Sequence, residues 1–264
     1  MTAAYPEYEH IRVEIDGPVG ILTMAEPKKL NAMDIPLLED MLDAVCRLNN
    51  DESIRVGILT GEGRSFCAGA DLKMKSLEGR STRDHLNQDH RPVLMAIIDA
   101  TMPWISAVNG AAAGIGSAYA MSCDLTVMAE DAYIYQAFAT IGLVPDGGAT
   151  FHLTNTLGRK RAYEVIATGE KIEAAKCLEW GLCNRVVAPE RLMDEAREWA
   201  HVLSERAPLA LRHAKDVVRT AATSDLSATY DREVEAQMIC TASEDSTEGA
   251  KAFLQRRKPE FKGR

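Results

Sequence analysis

Three short stretches of the chain combine small residues with groups that could move a proton. Residues 65–73 follow an apolar run, residues 108–117 are almost all small, and residues 142–148 place Asp146 in a Pro-Asp-Gly-Gly turn. Small residues allow the backbone to approach a ligand closely, and a helix that begins there offers unpaired N–H groups. Two such turns could hold an oxyanion while Asp146 moves a proton. This combination suits proton abstraction beside a carbonyl, with the resulting enolate held by backbone donors.

Each stretch also has a plain structural interpretation. Any one of them could be only a tight turn, with Asp146 as an ordinary helix N-cap. All three, however, fall where a strand pattern gives way to a helix pattern. Because α/β folds place their sites at such junctions, the three together favour the functional interpretation.

Hydrophobic periodicity predicts a chain that alternates between strands and helices. The predicted strands cover residues 11–16, 19–24, 56–60, 104–108, 125–129 and 133–136. The predicted helices start at Asp34, cover 82–100 and 114–123, and continue from 147 with one interruption, an edge strand at 184–187. We therefore predict an α/β fold of strand–strand–helix units over residues 1–200. Residues 201–264 should form a helical C-terminal subdomain that packs on its own core or on a neighbouring chain.

Composition and charge exclude several classes of protein. The net charge of −9 disfavours a nucleic-acid-binding protein, which needs a basic surface. No apolar run approaches the roughly 20 residues that span a bilayer, so we expect no membrane segment. The first ten residues carry no basic and apolar leader, which predicts a cytoplasmic protein. The six cysteines lack metal-ligand spacing, so we expect reduced thiols and no metal site.

The motifs, taken together, resemble those of the enoyl-CoA hydratase/isomerase (crotonase) family. The resemblance rests on the Phe-Cys-Ala-Gly-Ala-Asp-Leu run and on segments 104–116, 142–150, 158–162, 168–169, 179–182 and 253–263. It extends from about residue 11 to the end of the chain. It implies a crotonase-type spiral of ββα units with a helical C-terminal subdomain, assembled as a homotrimer or hexamer. It also implies an acyl-CoA thioester substrate, with no cofactor beyond the coenzyme A of that substrate.

The same resemblance implies roles for individual residues. The backbone N–H groups of Ala70 and Ile115 would form the oxyanion hole, with Asp146 as acid/base. The remaining contacts to the substrate and its CoA would come from Lys28, Lys29, Leu30, Ala68, Gly69, Asp71, Leu72, Gly114 and Phe138. The last fourteen residues carry six basic side chains and one acidic, Glu260. They could reach the nucleotide of CoA through Phe253, Lys258 and Phe261, or they could form a solvated basic tail.

The sequence departs from the family's hydratases at two positions. The two glutamates of the archetypal hydratase match Ala118 and Phe138, and neither side chain can transfer a proton. A shift of a double bond needs only one base, which takes a proton from one carbon and returns it two carbons along. Asp146 therefore resembles the acid/base of the single-aspartate enoyl-CoA isomerases, including the ring-opening isomerases of phenylacetate catabolism. Apolar Phe138, Ala118 and Ile141 should line a dry pocket and raise the pKa of Asp146.

Three histidines leave other functions open. His85, His90 or His152 could serve as a second acid/base and restore an enoyl-CoA hydratase or lyase. Each could equally be a structural or solvent-facing residue. A third possibility is a catalytically silent acyl-CoA- or RNA-binding relative of these enzymes. The negative net charge argues against RNA, and an aspartate in a glycine-rich, apolar setting argues against loss of catalysis.

Overall fold

The computed structural model describes residues 5–72 and 80–264, which fold into two β-sheets surrounded by helices. The strands are β1 Ile11–Asp16, β2 Val19–Met24, β3 Val56–Gly61, β4 Ser65–Cys67, β5 Trp104–Val108, β6 Ala111–Ala113, β7 Leu125–Ala129, β8 Tyr133–Tyr135, β9 Lys171–Glu173 and β10 Arg185–Val187. The helices are α1 Ile35–Asn50, α2 Thr82–His85, α3 Arg91–Ile98, α4 Ile115–Ser122, α5 Ala149–Thr168, α6 Ala174–Glu179, α7 Leu192–Ser204, α8 Pro208–Ala221, α9 Leu226–Thr241 and α10 Glu244–Gln255.

The larger sheet has six strands in the order β1-β2-β3-β5-β7-β10. Only β1 is antiparallel to its neighbour, so the carboxyl ends of β2, β3, β5, β7 and β10 lie at one edge. Every residue of β3 and β5 is buried, as expected for parallel strands covered on both faces. The loops that follow these strands therefore lie together at the carboxyl ends of the strands. Strand β10 is the outermost strand of the sheet, as predicted.

The smaller sheet has four strands in the order β4-β6-β8-β9. Its strands β4, β6 and β8 follow β3, β5 and β7 within a few residues, and β6 and β8 lead into α4 and α5. This is the predicted ββα unit. The prediction missed β4, β6 and β9, which have three residues each, although it found β8 and β10, which are equally short.

The predicted helix over residues 82–100 is broken into pieces. A π-helical turn, Leu86–His90, separates α2 from α3. Pro92 lies in the first turn of α3 and has no N–H to donate to the preceding turn, so a continuous α-helical ladder cannot form there. Asp34 does begin α1 as predicted, since its Oδ1 accepts from the Leu37 N–H at 3.1 Å.

Burial differs sharply between the helices that cover the sheet and those that follow. Helix α7 packs on the sheet with buried Leu192, Ala196 and Ala200. In α8 and α9, all of whose residues are described, none is buried. The chain beyond about residue 200 is helical, whereas its role as an oligomerisation subdomain stays a prediction. Over residues 5–72 and 80–264, no helix has the length and apolarity needed to cross a membrane.

Two helical glycines provide a test of this packing. A Cβ on Gly116 of α4 would lie 2.7 Å from the Cβ, O and Sγ of Cys67, whereas a Cβ on Gly249 of α10 would lie at least 3.4 Å from Phe261. We expect Gly116→Ala to lower the free energy of unfolding by about 1–3 kcal/mol through overpacking. The control Gly249→Ala should raise it by up to about 1 kcal/mol, through better helix propensity. Denaturant titration measures both, and an unchanged Gly116→Ala would contradict the close approach of α4 to β4.

Candidate active site

The three glycine-containing stretches meet in space. A Cβ on Gly69 would lie 3.0 Å from the carbonyl oxygen of Ala113, and one on Gly114 would lie 3.9 Å from the Cα of Gly69. A Cβ on Gly147 would lie 2.7 Å from Ile115 Cγ1. The turns after β4, after β6 and before α5 are therefore packed against one another. Ala70, Ile115 and Asp146 each adjoin one of these contact points.

Two backbone N–H groups are left unpaired where the turns meet. Met33 donates to the carbonyl of Gly69 at 2.8 Å and accepts from the N–H of Asp71 at 2.9 Å, so the N–H of Ala70 points the other way. Ile115 is the first residue of α4, and its N–H has no intrahelical acceptor. Within the described residues neither N–H donates a hydrogen bond. The pair is chemically suited to hold an oxyanion.

Asn31 holds β4, the strand that leads into the first of these turns, and the sequence analysis missed it. Its buried side-chain nitrogen lies 3.0, 2.8 and 3.2 Å from the carbonyl oxygens of Glu62, Ser65 and Phe66, which share its two N–H groups. Its Oδ1 accepts from the N–H of Glu26 at 3.0 Å. The residue has a left-handed φ of 55°, which Asn tolerates better than most residues. That preference was the only signal available in the sequence.

A pair of buried polar side chains, Ser117 and Gln136, holds the start of α4. The Ser117 hydroxyl donates to the carbonyl of Gly114 at 2.6 Å and accepts from Gln136 Nε2 at 2.8 Å. Gln136 follows β8 and is fully buried. These bonds connect the end of β8 to the turn that presents the Ile115 N–H. Sequence periodicity gave no indication of this pair, because the two residues are far apart along the chain.

Asp146 does not act as a helix N-cap. Helix α5 begins after Gly148 without a side-chain cap, and it is the backbone carbonyl of Asp146 that accepts from the Ala149 N–H at 3.0 Å. The Oδ1 of Asp146 is buried and has no hydrogen-bond partner among the described residues. Burial raises the pKa of this carboxyl from 3.8 to about 6, against the opposing effects of its own backbone N–H and the charge of His85. The group can thus exchange a proton near neutral pH.

The apolar surroundings of Asp146 agree in part with the prediction. Ala118 is fully buried and would lie 3.0 Å from a Cβ on Gly147, and Phe138 is buried with its ring beside Gly114. Ile141, by contrast, is 53% exposed and does not close the pocket. It lies in a one-turn 3-10 helix, Ala139–Ile141, whose residues are all exposed.

Two of the candidate histidines are buried near Asp146. Nδ1 of His85 lies 2.7 Å from a carboxylate oxygen of Asp89, whose other oxygen accepts from Arg80 at 2.9 Å. The ring of His85 packs edge-to-face on His90, with centroids 4.7 Å apart. The interpretation of both as solvent-facing residues is therefore wrong. His152 lies on α5, where its Nε2 is 3.3 Å from the hydroxyl of Ser122.

The candidate CoA-binding residues at 28–30 and 68–72 lie together, whereas those of the C-terminal tail lie elsewhere. The carbonyl of Leu30 accepts from the N–H of Ala68 at 3.0 Å, so the predicted contacts at 28–30 and 68–72 form one surface. Ala68, Ala70 and Leu72 are exposed on it, and Lys28 is exposed as well. Lys29 is held at 2.8 Å by Asp34, which raises the pKa of its amine. Lys73, the last residue of the first motif, lies outside the described residues.

The C-terminal tail is not brought to that surface within this chain. The carbonyl of Phe261 accepts from Arg55, which precedes β3, whereas the Ala68 loop follows β3 at the opposite edge of the sheet. The N–H groups of Lys262 and Gly263 donate to the Asp245 carboxylate at 2.6 and 2.8 Å. Lys258 pairs with Glu205, and Phe253 is 84% exposed. The tail is thus anchored to α10, so Phe253, Lys258 and Phe261 do not join the other candidate contacts.

A cavity of about 860 Å³ adjoins the site. It lies between the π-helical turn and α3 on one side, and the start of α5 and α8 on the other. Gly147 and Gly148, next to Asp146, form part of its wall, as do His90 and His152. Most of the other lining side chains are apolar, and the size suits the acyl part of a ligand. Among residues 5–72 and 80–264, no group of three His, Cys, Asp or Glu side chains could hold a metal ion.

The raised pKa of Asp146 predicts how stability depends on pH. Between about pH 4 and 6 the folded protein binds more protons than the unfolded chain, so its stability falls as the pH rises through this window. We expect Asp146→Asn to be more stable than the unmodified protein at pH 8, with the difference vanishing at pH 4. Denaturant titrations of both proteins at the two pH values measure this. A variant that is equally destabilised at both would contradict the burial of the carboxyl.

The similarity to known proteins agrees with this arrangement. The family model for enoyl-CoA hydratase/isomerase matches residues 14–264. The chain is 32% identical to the 1,2-epoxyphenylacetyl-CoA isomerase of Escherichia coli over 97% of its length and 99% of the relative's, and 34% identical to a probable enoyl-CoA hydratase of Mycobacterium tuberculosis, over 96% and 98%. It also matches the crystal structure of an enoyl-CoA hydratase from Bacillus anthracis, with a TM-score of 0.91 at 31% identity, over 97% of this chain and all of that one. The chain therefore belongs to the enoyl-CoA hydratase/isomerase family.

Proposed function

We propose that the protein is an enoyl-CoA isomerase, which shifts a carbon–carbon double bond in an acyl-CoA thioester. The single observation that carries the proposal is the carboxylate of Asp146. Its Oδ1 is buried and lacks a hydrogen-bond partner among the described residues, and its pKa is about 6. The next residue, Gly147, packs against Ile115, whose backbone N–H, like that of Ala70, donates no hydrogen bond within the described residues. A base beside an oxyanion hole can form and discharge an enolate.

The reaction needs these groups and no others. Asp146 removes a proton from C2 of a 3-enoyl thioester, and the electron pair of that bond moves toward the thioester carbonyl. The N–H groups of Ala70 and Ile115 hold the oxygen as it gains negative charge, because preorganised donors need no rearrangement. The carboxylic acid then returns the proton to C4, and the double bond settles between C2 and C3. No proton is gained or lost overall.

The residues at the two hydratase positions support an isomerase. Ala118 and Phe138 are buried and apolar where hydratases of the family carry glutamates. Apolar side chains at these two positions supply no group that binds or activates a water for addition to C3. They also exclude water from the enolate and strengthen the hydrogen bonds that hold it. The 1,2-epoxyphenylacetyl-CoA isomerase to which the chain is similar is an isomerase by its own name.

The CoA moiety of the substrate would lie along the surface formed by residues 28–30 and 68–72. Lys28 is exposed on this surface and would meet a phosphate, and the small, exposed residues Ala68 and Ala70 allow close approach. Gly114 and Phe138 would contact the thioester and the first carbons of the acyl chain. The substrate would then continue past Gly147 into the neighbouring cavity.

Replacement of the base tests the mechanism. We expect Asp146→Asn to lower kcat by about 10²–10⁴ for conversion of a 3-enoyl-CoA to the 2-enoyl isomer, since an amide cannot carry the proton. Affinity for a saturated acyl-CoA should change little. The matched control is Asp131→Asn, an exposed aspartate in the turn between β7 and β8, which should keep normal turnover. Near-normal kcat for Asp146→Asn would refute the assignment of Asp146 as the base.

The fate of the transferred proton separates one base from two. If Asp146 serves both C2 and C4, a substrate deuterated at C2 should retain a measurable share of the label at C4. A single turnover in ordinary water, with the product analysed by mass spectrometry, measures that share. Complete loss of the label would count against a single-base shuttle.

An enoyl-CoA hydratase is the second candidate, and the buried histidines favour it. The charge of His85 acts on Asp146, and Asp89 holds the ring at 2.7 Å as it would hold a catalytic imidazole. A carboxyl and an imidazole could together add water to a 2-enoyl-CoA. Efficient hydration of crotonyl-CoA by the unmodified protein would favour this function over the isomerase.

A further inference from the structure

One buried histidine presents a ring nitrogen that the proposed mechanism does not use. His90 is only 1% exposed, and its Nε2 has no hydrogen-bond partner among the described residues. A buried polar atom without a partner is uncommon and costs free energy. The residue forms part of the wall of the 860 Å³ cavity, together with Gly147 and Gly148 next to Asp146. Nε2 itself has almost no accessible surface, so a partner from the cavity reaches it only with a small shift of the ring or of the cavity wall.

The contacts of His90 decide what kind of partner Nε2 needs. Its Nδ1 lies 3.3 Å from the hydroxyl of Tyr119, and that hydroxyl also lies 3.3 Å from the backbone carbonyl of His90. A tyrosine has one proton, so both contacts can be hydrogen bonds only if the hydroxyl donates to the carbonyl and accepts from Nδ1–H. A neutral imidazole has one N–H. Nε2 then carries a lone pair and needs a donor.

His90 stays neutral in this setting. Burial lowers the pKa of its imidazole to about 3, and the neighbouring charge of His85 acts in the same direction. Asp89 opposes them, but its carboxylate is already engaged by His85 and Arg80. Tyr119 is fully buried, which keeps it from supplying a charge. Nε2 therefore remains an acceptor across the physiological pH range.

We propose that His90 Nε2 determines specificity by accepting a hydrogen bond from an O–H group bound in the cavity, which is either a hydroxyl of the acyl group or a water held beside it. The inference rests on the proposed function, since it assumes that the acyl group enters the cavity past Asp146. The lining of the cavity is mostly apolar, including Leu86, Leu94 and Phe151, so an unpaired acceptor such as Nε2 can orient a bound O–H group. A substrate without the O–H group would leave Nε2 unpaired.

Hydroxylated aromatic thioesters test the first source. Phenylacetyl-CoA and its 2-, 3- and 4-hydroxy derivatives have no movable double bond and no hydroxyl that can be eliminated, so they bind at equilibrium. Calorimetry should give the unmodified protein an affinity about tenfold higher for at least one hydroxy derivative than for phenylacetyl-CoA, the ratio worth one hydrogen bond. His90→Leu should abolish that ratio, and His90→Gln, which keeps an acceptor, should restore part of it. Because both affinities in each ratio are measured on the same variant, a general loss of affinity in that variant does not change the ratio.

His152→Leu is the matched control. His152 lines the same cavity, but its Nε2 already has the Ser122 hydroxyl within 3.3 Å. Its replacement should leave the ratio between hydroxylated and plain ligands intact, whatever it does to each affinity. Loss of the ratio in His152→Leu but not in His90→Leu would overturn the assignment to His90.

Hydration of crotonyl-CoA tests the second source. In that step the oxygen of a water whose second hydrogen is donated to Nε2 of His90 bonds to C3, while Asp146 takes the other proton of that water and delivers it to C2. If water is the donor, the hydroxyl preference is absent, while hydration is present in the unmodified protein and lost in His90→Leu; this outcome supports the role of Nε2 and favours the hydratase over the isomerase. An unmodified protein with neither property, or one in which the property that is present survives His90→Leu, overturns the proposal.

Exchange of the C2 protons of phenylacetyl-CoA in D₂O, followed by NMR, tests the proposed function independently of the role of His90. Exchange needs Asp146 and the oxyanion hole only. Its absence from the unmodified protein would count against the proposed function, whereas exchange without any His90-dependent property would count against the inference alone.

Discussion

The close contact of three turns, at Gly69, Gly114 and Gly147, is the constraint on which the candidate site depends. The backbones approach so closely that a Cβ on any of these glycines would fall within 4 Å of a neighbouring turn. The contact brings the turns that carry the N–H groups of Ala70 and Ile115 against the turn that carries Asp146. Neither the donors nor the carboxylate could form an enolate alone, because the reaction needs a base to remove the proton and hydrogen-bond donors to stabilise the oxyanion.

Parallel strand pairing makes this contact possible. Because β3, β5 and β7 end at one edge, the short strands β4, β6 and β8 line up as a second sheet and deliver the turns together. Buried side chains then hold the turns at the required positions, with Asn31 on the first and Ser117 and Gln136 on the second. A backbone donor held in this way does not depend on the side chain of Ile115.

The same burial that tunes the site makes it costly to the fold. Oδ1 of Asp146 and Nε2 of His90 are buried and have no hydrogen-bond partner among the described residues. Such groups weaken a protein unless a ligand satisfies them. Functional sites commonly give up stability in this way for recognition and proton transfer. The C-terminal tail, by contrast, pairs its charged groups with residues of α10 and does not contribute to the candidate site.

The sequence by itself determined the long strands, the start of α1 at Asp34, the family and the three stretches that meet. These features follow from local patterns of burial, capping and motif spacing. It also indicated that Asp146 replaces the missing glutamates, because residue identity alone excludes proton transfer at Ala118 and Phe138. Only the tertiary structure decided what the polar side chains contact. The strands β4, β6 and β9, the roles of Asn31 and Gln136 and the burial of His85 and His90 all depend on partners distant in sequence. The placement of the tail was decided in the same way, since Asp245 and Arg55 anchor it through contacts that no local pattern encodes.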